Sequence, residues 1–191
     1  PKKQLALVAK VMPQMLETQS QLVKSMVTEL ASNDFKIIHF SQLKTHEKKF
    51  IQSYFNSQVF PILTPLSVDP GHPFPFISNL STSLGVSLTQ NKTGDDDKIF
   101  ARVKIPKLID QWIQIEDSNH YIHLIEVIQA HVNDLFPEMK VAGTILFKVT
   151  RNADSDREDD DAEDLLAMIE EELRQRRFAE IVRLEVGPCT D

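Results

Sequence analysis

The N-terminal part of the chain places apolar side chains at the three- and four-residue spacing of a helix. This stripe runs over residues 3–31 and consists of Leu5, Val8, Val11, Met12, Met15, Leu16, Leu22, Val23, Met26, Val27 and Leu30. The spacing predicts a long helix, and Pro13 inside it is expected either to kink that helix or to begin a second one. Because a helix this apolar depends on packing, it needs partners that the sequence mostly does not supply.

The next residues predict a short extended link and a second helix. Phe35–Phe40 is apolar enough for a short strand. A helix is predicted from Thr45 to about Gln58, with Thr45 as its cap and Glu47 favoured in the first turn by the helix dipole.

A proline-rich stretch, Val59–Val86, follows this helix. It holds five of the ten prolines in the chain: Pro61, Pro65, Pro70, Pro73 and Pro75. A helix cannot pass through this spacing, and each residue before a proline is driven to extended geometry. Because the stretch also carries large apolar side chains, it is predicted to be a rigid connector that lines the core. A second interpretation is that it shapes a ligand site with Asp69, His72 and Asn79.

From Leu80 the apolar residues alternate with small polar ones, which indicates a strand with one apolar face. Lys98–Ile105 alternates in the same way, and Asn91–Asp97 between them reads as a turn, so a hairpin is predicted. The small residues on the polar face of the first strand would let a helix or another backbone approach closely. The three aspartates of the turn are interpreted as solvated rather than as a metal site.

The second half predicts further strands and two helices. The strands are Trp112–Glu116, Tyr121–Leu124, Val141–Arg151 and Glu180–Val186, with Gly187-Pro188 closing the fold. The helices are Leu124–Phe136 and Asp160–Arg177, each with an apolar stripe. Together the elements predict an α+β fold, in which an N-terminal helical segment precedes a small, mostly antiparallel sheet of about five strands packed with two helices.

Charge is unevenly distributed along the chain. The net charge is −7 overall, and residues 152–172 contain eleven acidic residues and one Arg. Since binding of polyanions is driven by cationic contacts, we expect no nucleic-acid partner and only weak binding of any polyanion. The single Cys189 allows no internal disulfide, which suits a reducing, cytoplasmic location. No signal peptide or transmembrane segment is expected, and the missing initial Met suggests a piece of a longer protein.

No catalytic or metal-binding motif emerges from the sequence. The five glycines form no phosphate-binding loop, and His120, His123 and His131 do not provide the ligand register of a zinc site. The acidic run DSDREDDD fails the EF-hand pattern at Asp159 and Leu165. We therefore assign no catalytic residue, no metal ligand and no cofactor to this chain.

Cationic and amide side chains gather at the end of the strand Val141–Arg151. Lys148, Arg151 and Asn152 could contact a phosphate if this strand end opens on a cleft. The alternative is a solvated strand end, or ion pairs with the acidic residues that follow. With the connector residues, the candidates for substrate or phosphate contact are His72, Asn79, Lys148, Arg151 and Asn152.

Three stretches resemble bacterial polyphosphate kinases. They are FPILTPLSVDPGHPFPFISNLSTSLGV at residues 60–86, FKVTRNAD at Phe147–Asp154 and EEELRQRRFAEIVRLEV at Glu170–Val186. The resemblance implies that residues 1–58 end an N-terminal helical domain, that 59–187 form the head, or middle, domain, and that 188–191 are a tail. It also implies a parent enzyme that uses ATP and Mg²⁺ and reversibly transfers the terminal phosphate of ATP to polyphosphate through a phosphohistidine.

The resemblance implies a supporting role for this chain. The catalytic domains of the family, which have a phospholipase-D-like fold, lie outside it, and none of its six His matches the phosphohistidine. The head domain is expected to contribute to a homodimer interface and to one wall of the active-site tunnel. Its partners would be the missing N- and C-terminal domains, and membrane association of the parent stays open. The alternative interpretation is a stand-alone interaction or scaffold module.

Overall fold

The computed structural model describes residues 2–68, 74–90, 98–152 and 179–190. It contains helices and strands in an α+β arrangement, which confirms the predicted fold class. The helices are α1 (Lys2–Ser32), α2 (Thr45–Tyr54) and α3 (Leu124–Ala130). The strands are β1 (Lys36–Ile37), β2 (Pro65–Val68), β3 (Thr82–Gln90), β4 (Lys98–Lys104), β5 (Trp112–Gln114), β6 (His120–His123), β7 (Met139–Arg151) and β8 (Ile181–Thr190).

The chain divides into two compact units, and the first comprises Pro1–Tyr54 and Asp110–Val127. A three-stranded sheet in the order β1-β6-β5 lies in this unit, with β1 parallel to β6 and β5 antiparallel to it. The sequence predicted its strands but not a separate sheet, because strands of two to four residues are too short to show an alternating pattern.

The long helix predicted from the N-terminal stripe is confirmed as α1. It runs through Pro13 as one helix, so no second helix begins there. None of its described residues is buried, and apolar side chains such as Leu5 and Met15 are more than 60% exposed. The spacing of residues along the chain was therefore enough to predict the length of the helix. Within the described residues, no other element covers its apolar stripe.

Helix α2 begins at the predicted residue but ends earlier than predicted, and Thr45 is its first residue rather than its cap. The side chain that stabilises its start is Glu47, whose Oε2 accepts the Lys44 N–H at 2.7 Å. This hydrogen bond, more than any other cause, lowers the pKa of Glu47. The helix ends at Tyr54 rather than near Gln58, because the chain continues through a π-helical turn and a 3₁₀ turn before Pro65.

The second unit comprises Phe55–Ile109 and Ile128–Asp191. Its five-stranded antiparallel sheet has the order β2-β4-β3-β7-β8, which confirms the predicted hairpin and strand count. One face of the sheet is fully buried through Leu84, Val86, Leu88, Ala101 and Val103. Apolar burial on this face, at about 25 cal/mol per Å² of apolar surface, is the main stabilisation that the sequence pattern provides.

The opposite side of the central strand β3 carries the small residues Ser83, Gly85 and Ser87. The predicted close approach occurs here, but the approaching group is an aromatic ring. A Cβ added to Gly85 would lie 2.8 Å from Cε2 of Phe100 and 3.2 Å from Cγ2 of Ile145. The absence of a side chain therefore makes room for Phe100.

The proline connector is only partly core-lining. Val59, Leu63 and Ile77 are buried, whereas Leu66, Phe74 and Phe76 are 37–54% exposed. Residues 65–68 form β2 at the edge of the sheet. An edge strand is hydrogen-bonded on one side only, so it tolerates a proline, which has no backbone N–H to donate. Residues 69–73, which include Asp69 and His72, lie outside the described residues.

The last elements also correct the sequence-based boundaries. Helix α3 ends at Ala130 and a 3₁₀ turn replaces the rest of the predicted helix to Phe136. Strand β8 continues through Gly187 and Pro188 to Thr190, so the prediction that these two residues close the fold was wrong. The turn Asn91–Asp97 and the predicted helix Asp160–Arg177 lie outside the described residues. The domain boundaries at 58 and 187 stay a prediction.

Candidate functional site

Arg151, the last residue of β7, binds the connector and the residues just before the next strand. Its Nε donates to the Ile77 carbonyl at 3.0 Å, and its Nη1 donates to the Ala179 carbonyl at 2.6 Å. The guanidinium also lies 4.5 Å from the centre of the Phe76 ring, within the range of a cation–π contact. One side chain thus joins three segments that are distant in sequence.

Asn79 completes this connection from the connector side. Its Oδ1 accepts the backbone N–H of Arg151 at 2.9 Å, and the N–H of the next residue, Leu80, donates to the Val149 carbonyl at 2.9 Å. Leu80 has a φ of +56°, a left-handed conformation that is unusual for a residue with a bulky side chain. These hydrogen bonds hold the backbone in that conformation.

Arg102, in β4, holds the same segment from within the sheet. It is 4% exposed, its Nε donates to Oγ of Ser83 at 3.0 Å, and its Nη1 donates to the Phe76 carbonyl at 2.9 Å. Burial lowers the pKa of Arg102, since it disfavours the charged form. We call Arg102, Arg151 and Asn79, with the segment 76–79 that they bind, the arginine clamp.

Aromatic rings lie beside the arginine clamp on the small-residue side of β3. Phe74 stacks on Phe100 with ring centres 5.6 Å apart, and Phe100 lies 6.5 Å from Phe147. Phe100 and Phe147 are directly opposite Ser87 and Ser83 in the strand register, so both rings project from the face on which β3 has no bulk. The alternation of small residues in β3 therefore accommodates the rings.

The structure brings two of the five sequence-predicted site residues together. Asn79 and Arg151 meet in the arginine clamp, and the backbone N–H of Asn152 donates to the Glu180 carbonyl at 2.8 Å. Lys148 forms an ion pair of 3.0 Å with Glu185 of β8. His72 lies outside the described residues, and contact of any of these residues with a phosphate stays a prediction.

The ion pair of Lys148 differs from the alternative that the sequence suggested. The acid is Glu185 on the neighbouring strand, not a member of the acidic run that follows β7. Arg183 approaches the same carboxylate at 3.2 Å. The hydrogen bond from Lys148, followed by the charges of both cations, lowers the pKa of Glu185.

Sequence reasoning missed Arg102 and Phe76. Arg102 falls between the apolar residues Ala101 and Val103, so alternation places it on the polar side of β4, where an arginine is ordinarily solvated. The only available signal was its position opposite Gly85, and that pairing is visible only once the strand register is known.

Among the described residues, the arginine clamp is the main candidate site. Within the described residues, no group of three or more His, Cys, Asp or Glu side chains could hold a metal ion. In the same part of the chain, no helix is long and apolar enough to cross a membrane. The arginine clamp can fix the backbone of the connector at residues 76–79. Its two guanidinium groups give the surroundings of this segment a positive charge.

Comparison with known proteins gives a consistent result. The family described as "Polyphosphate kinase middle domain" matches residues 46–191. A polyphosphate kinase of Mycobacterium avium is 38% identical over 98% of this chain and 27% of its own length. A polyphosphate kinase of Synechocystis is 37% identical over 100% of this chain and 28% of its own length.

A solved structure shares the fold. The crystal structure of polyphosphate kinase from Porphyromonas gingivalis superposes with a TM-score of 0.69 at 20% identity, covering 81% of this chain and 24% of that one. The chain spans about a quarter of the length of the relatives it matches. From its sequence match over most of its length, the chain belongs to the polyphosphate kinase family, and its residues 46–191 match the middle domain of that family.

Proposed function

We propose that this chain is the non-catalytic head region of a polyphosphate kinase. The parent enzyme would transfer the terminal phosphate of ATP to inorganic polyphosphate, reversibly and through a phosphohistidine outside this chain, with ATP and Mg²⁺ bound elsewhere in the enzyme. Membership of the family and the names of the relatives support this assignment. The chain would support the homodimer and one wall of the active-site tunnel in the cytoplasm.

The arginine clamp is the observation that carries the supporting role. An arginine that binds phosphate presents its planar donors to the ligand. Here, both arginines direct donors at backbone carbonyls of neighbouring residues, namely Phe76 for Arg102 and Ile77 for Arg151. Arg102 is 4% exposed, so a solvated substrate cannot reach it without displacing the connector. The polar side chains of the arginine clamp therefore position residues 76–79 of the connector.

The test is a set of variants in the full-length kinase. Arg151→Ala should lower both the melting temperature and kcat, because it frees the connector, and should leave the KM for polyphosphate unchanged. Lys148→Ala is the matched control, since it removes a cation from the same strand but breaks only the ion pair with Glu185. A raised KM for polyphosphate at an unchanged melting temperature would make Arg151 a substrate contact and contradict the supporting role.

Two properties of the isolated chain follow from the proposal. It should show no ATP-dependent synthesis of polyphosphate, and it should bind polyphosphate weakly because its net charge is −7. A positive synthesis assay would refute the first expectation. A tight complex that weakens steeply with salt would refute the second, since such salt dependence indicates many phosphate contacts.

A further inference from the structure

His123 lies directly before α3 and binds the first turn of that helix. It is the last residue of β6, and its Nδ1 accepts the backbone N–H of Ile125 at 3.1 Å. The preceding amide, that of Leu124, donates to the Gln111 carbonyl at 2.8 Å. The first amides of a helix have no partner within the helix, and here an imidazole ring accepts one of them. His123 therefore acts as a cap of α3.

This cap requires the neutral form of the ring. Nδ1 can accept a hydrogen bond only while the ring proton resides on Nε2, and the protonated imidazolium has no acceptor. Burial lowers the pKa of His123, because it disfavours the charged form, while the nearby Glu126 acts in the opposite direction. The neutral, capping form is thus the stable one at neutral pH.

Titratable groups of neighbouring elements lie around His123. Glu126, in the first turn of α3, accepts the Phe40 N–H at 2.9 Å and pairs with Nδ1 of His39 at 2.6 Å. His120, on the same strand as His123, lies 3.8 Å from the Glu47 carboxylate of α2. The ring of Trp112 in β5 packs edge-on, 4.7 Å from the His123 ring. A proton on His123 would therefore replace an acceptor with a cation beside an aromatic ring and a carboxylate that has other partners.

The buried residues of α3 make this cap consequential. Leu124, Val127 and Ile128 are fully buried, so fraying of the first turn would disturb core residues. We propose that His123 is an acid-sensitive cap, which holds the first turn of α3 when neutral and releases it when protonated.

The experiment measures hydrogen exchange at the Ile125 amide of the 191-residue chain, expressed as a protection factor at pH 7.5 and at pH 4.5, well below the ordinary histidine pKa. Loss of a side-chain cap costs about 0.5–2 kcal/mol, so protection should fall about 2- to 30-fold on acidification. His123→Asn supplies a non-titrating acceptor of the preferred capping type and should remain protected at both pH values. His123→Ala should be poorly protected at both.

Trp112 is the only tryptophan in the chain, so its fluorescence gives a second measurement that can be made on the unmodified chain. Its fluorescence should titrate as the adjacent His123 gains a proton, with a midpoint below the ordinary histidine value of 6.5. His39→Asn is the matched control, because it removes the histidine bound to Glu126 and leaves the cap intact; it should keep the acid response. Equal protection of Ile125 at both pH values, the same acid loss in His123→Asn, or a fluorescence midpoint above 6.5 would overturn the proposal.

Discussion

Replacing Arg102 by Met tests whether the arginine clamp stabilises the chain. Met has a similar reach and no polar group, so the Arg102→Met variant removes the hydrogen bonds to Ser83 and to the Phe76 carbonyl while filling most of the volume. The hydroxyl of Ser83 is fully buried and would lose this donor. The change therefore probes hydrogen bonding with little creation of a cavity.

The expected change in the free energy of unfolding is the difference between two opposing effects. The fully buried Ser83 hydroxyl that loses its donor costs about 1–3 kcal/mol, and loss of the part-buried hydrogen bond to the Phe76 carbonyl adds about 0.5–1.5 kcal/mol. Removing a buried charge recovers part of its desolvation penalty, and an apolar replacement of a buried ion is sometimes neutral or stabilising. Because Arg102 is buried, and burial lowers its pKa, part of the loss is offset, and we expect a net destabilisation of about 1–4 kcal/mol.

The assay is urea unfolding of the chain, combined with hydrogen exchange of the amides in residues 77–81. Arg102→Met should lower the unfolding midpoint and speed exchange in that segment. Ser83→Ala and the double variant complete a cycle, in which the double variant should be less destabilised than the sum of the single ones. Lys104→Met is the control, as an exposed cation two residues further along β4. Equal or greater stability of Arg102→Met, with unchanged exchange, would refute the reasoning.

Three further predictions concern other parts of the chain. Gly85→Ala should destabilise by about 1–3 kcal/mol in thermal unfolding, since the new Cβ meets Phe100 at 2.8 Å; an unchanged melting temperature would show that the ring moves freely. Glu47 has a lowered pKa, so its contribution to stability is present above its ordinary value of 4.5 and is lost as pH falls through the folded value. Glu47→Gln should therefore flatten the acid limb of the stability profile, and an unaltered limb would contradict this. Lys148→Ala should leave the unfolding midpoint nearly unchanged, because the ion pair with Glu185 is exposed to solvent; a large shift would assign it a structural role.

Sequence periodicity was sufficient where elements are long. The stripe of α1 and the alternation in β3, β4 and β7 predicted these elements to within a few residues, because burial on one face imposes the period. Strands β1 and β5 have two and three residues, and their pairing depends on contacts between distant segments. Such pairing leaves no local pattern, so the three-stranded sheet could not be predicted.

The boundaries and the site show a second limit. Gly187 and Pro188 ordinarily end a strand, but β8 is an edge strand, and an edge position tolerates a proline. Strand order decides this, and order is not encoded locally. Asn79 and Arg151 were chosen from residue type and position, whereas Arg102 was missed because only the register brings it under the Phe76 carbonyl.

The most direct test of the supporting role is steady-state kinetics of the full-length kinase carrying Arg102→Met. Arg102 is almost fully buried and binds the connector, so it can influence catalysis only through the position of that segment. The account predicts a lower kcat for polyphosphate synthesis, an unchanged KM for polyphosphate and a lower melting temperature. Turnover that stays at the wild-type level while the connector amides of residues 77–81 exchange faster would contradict it.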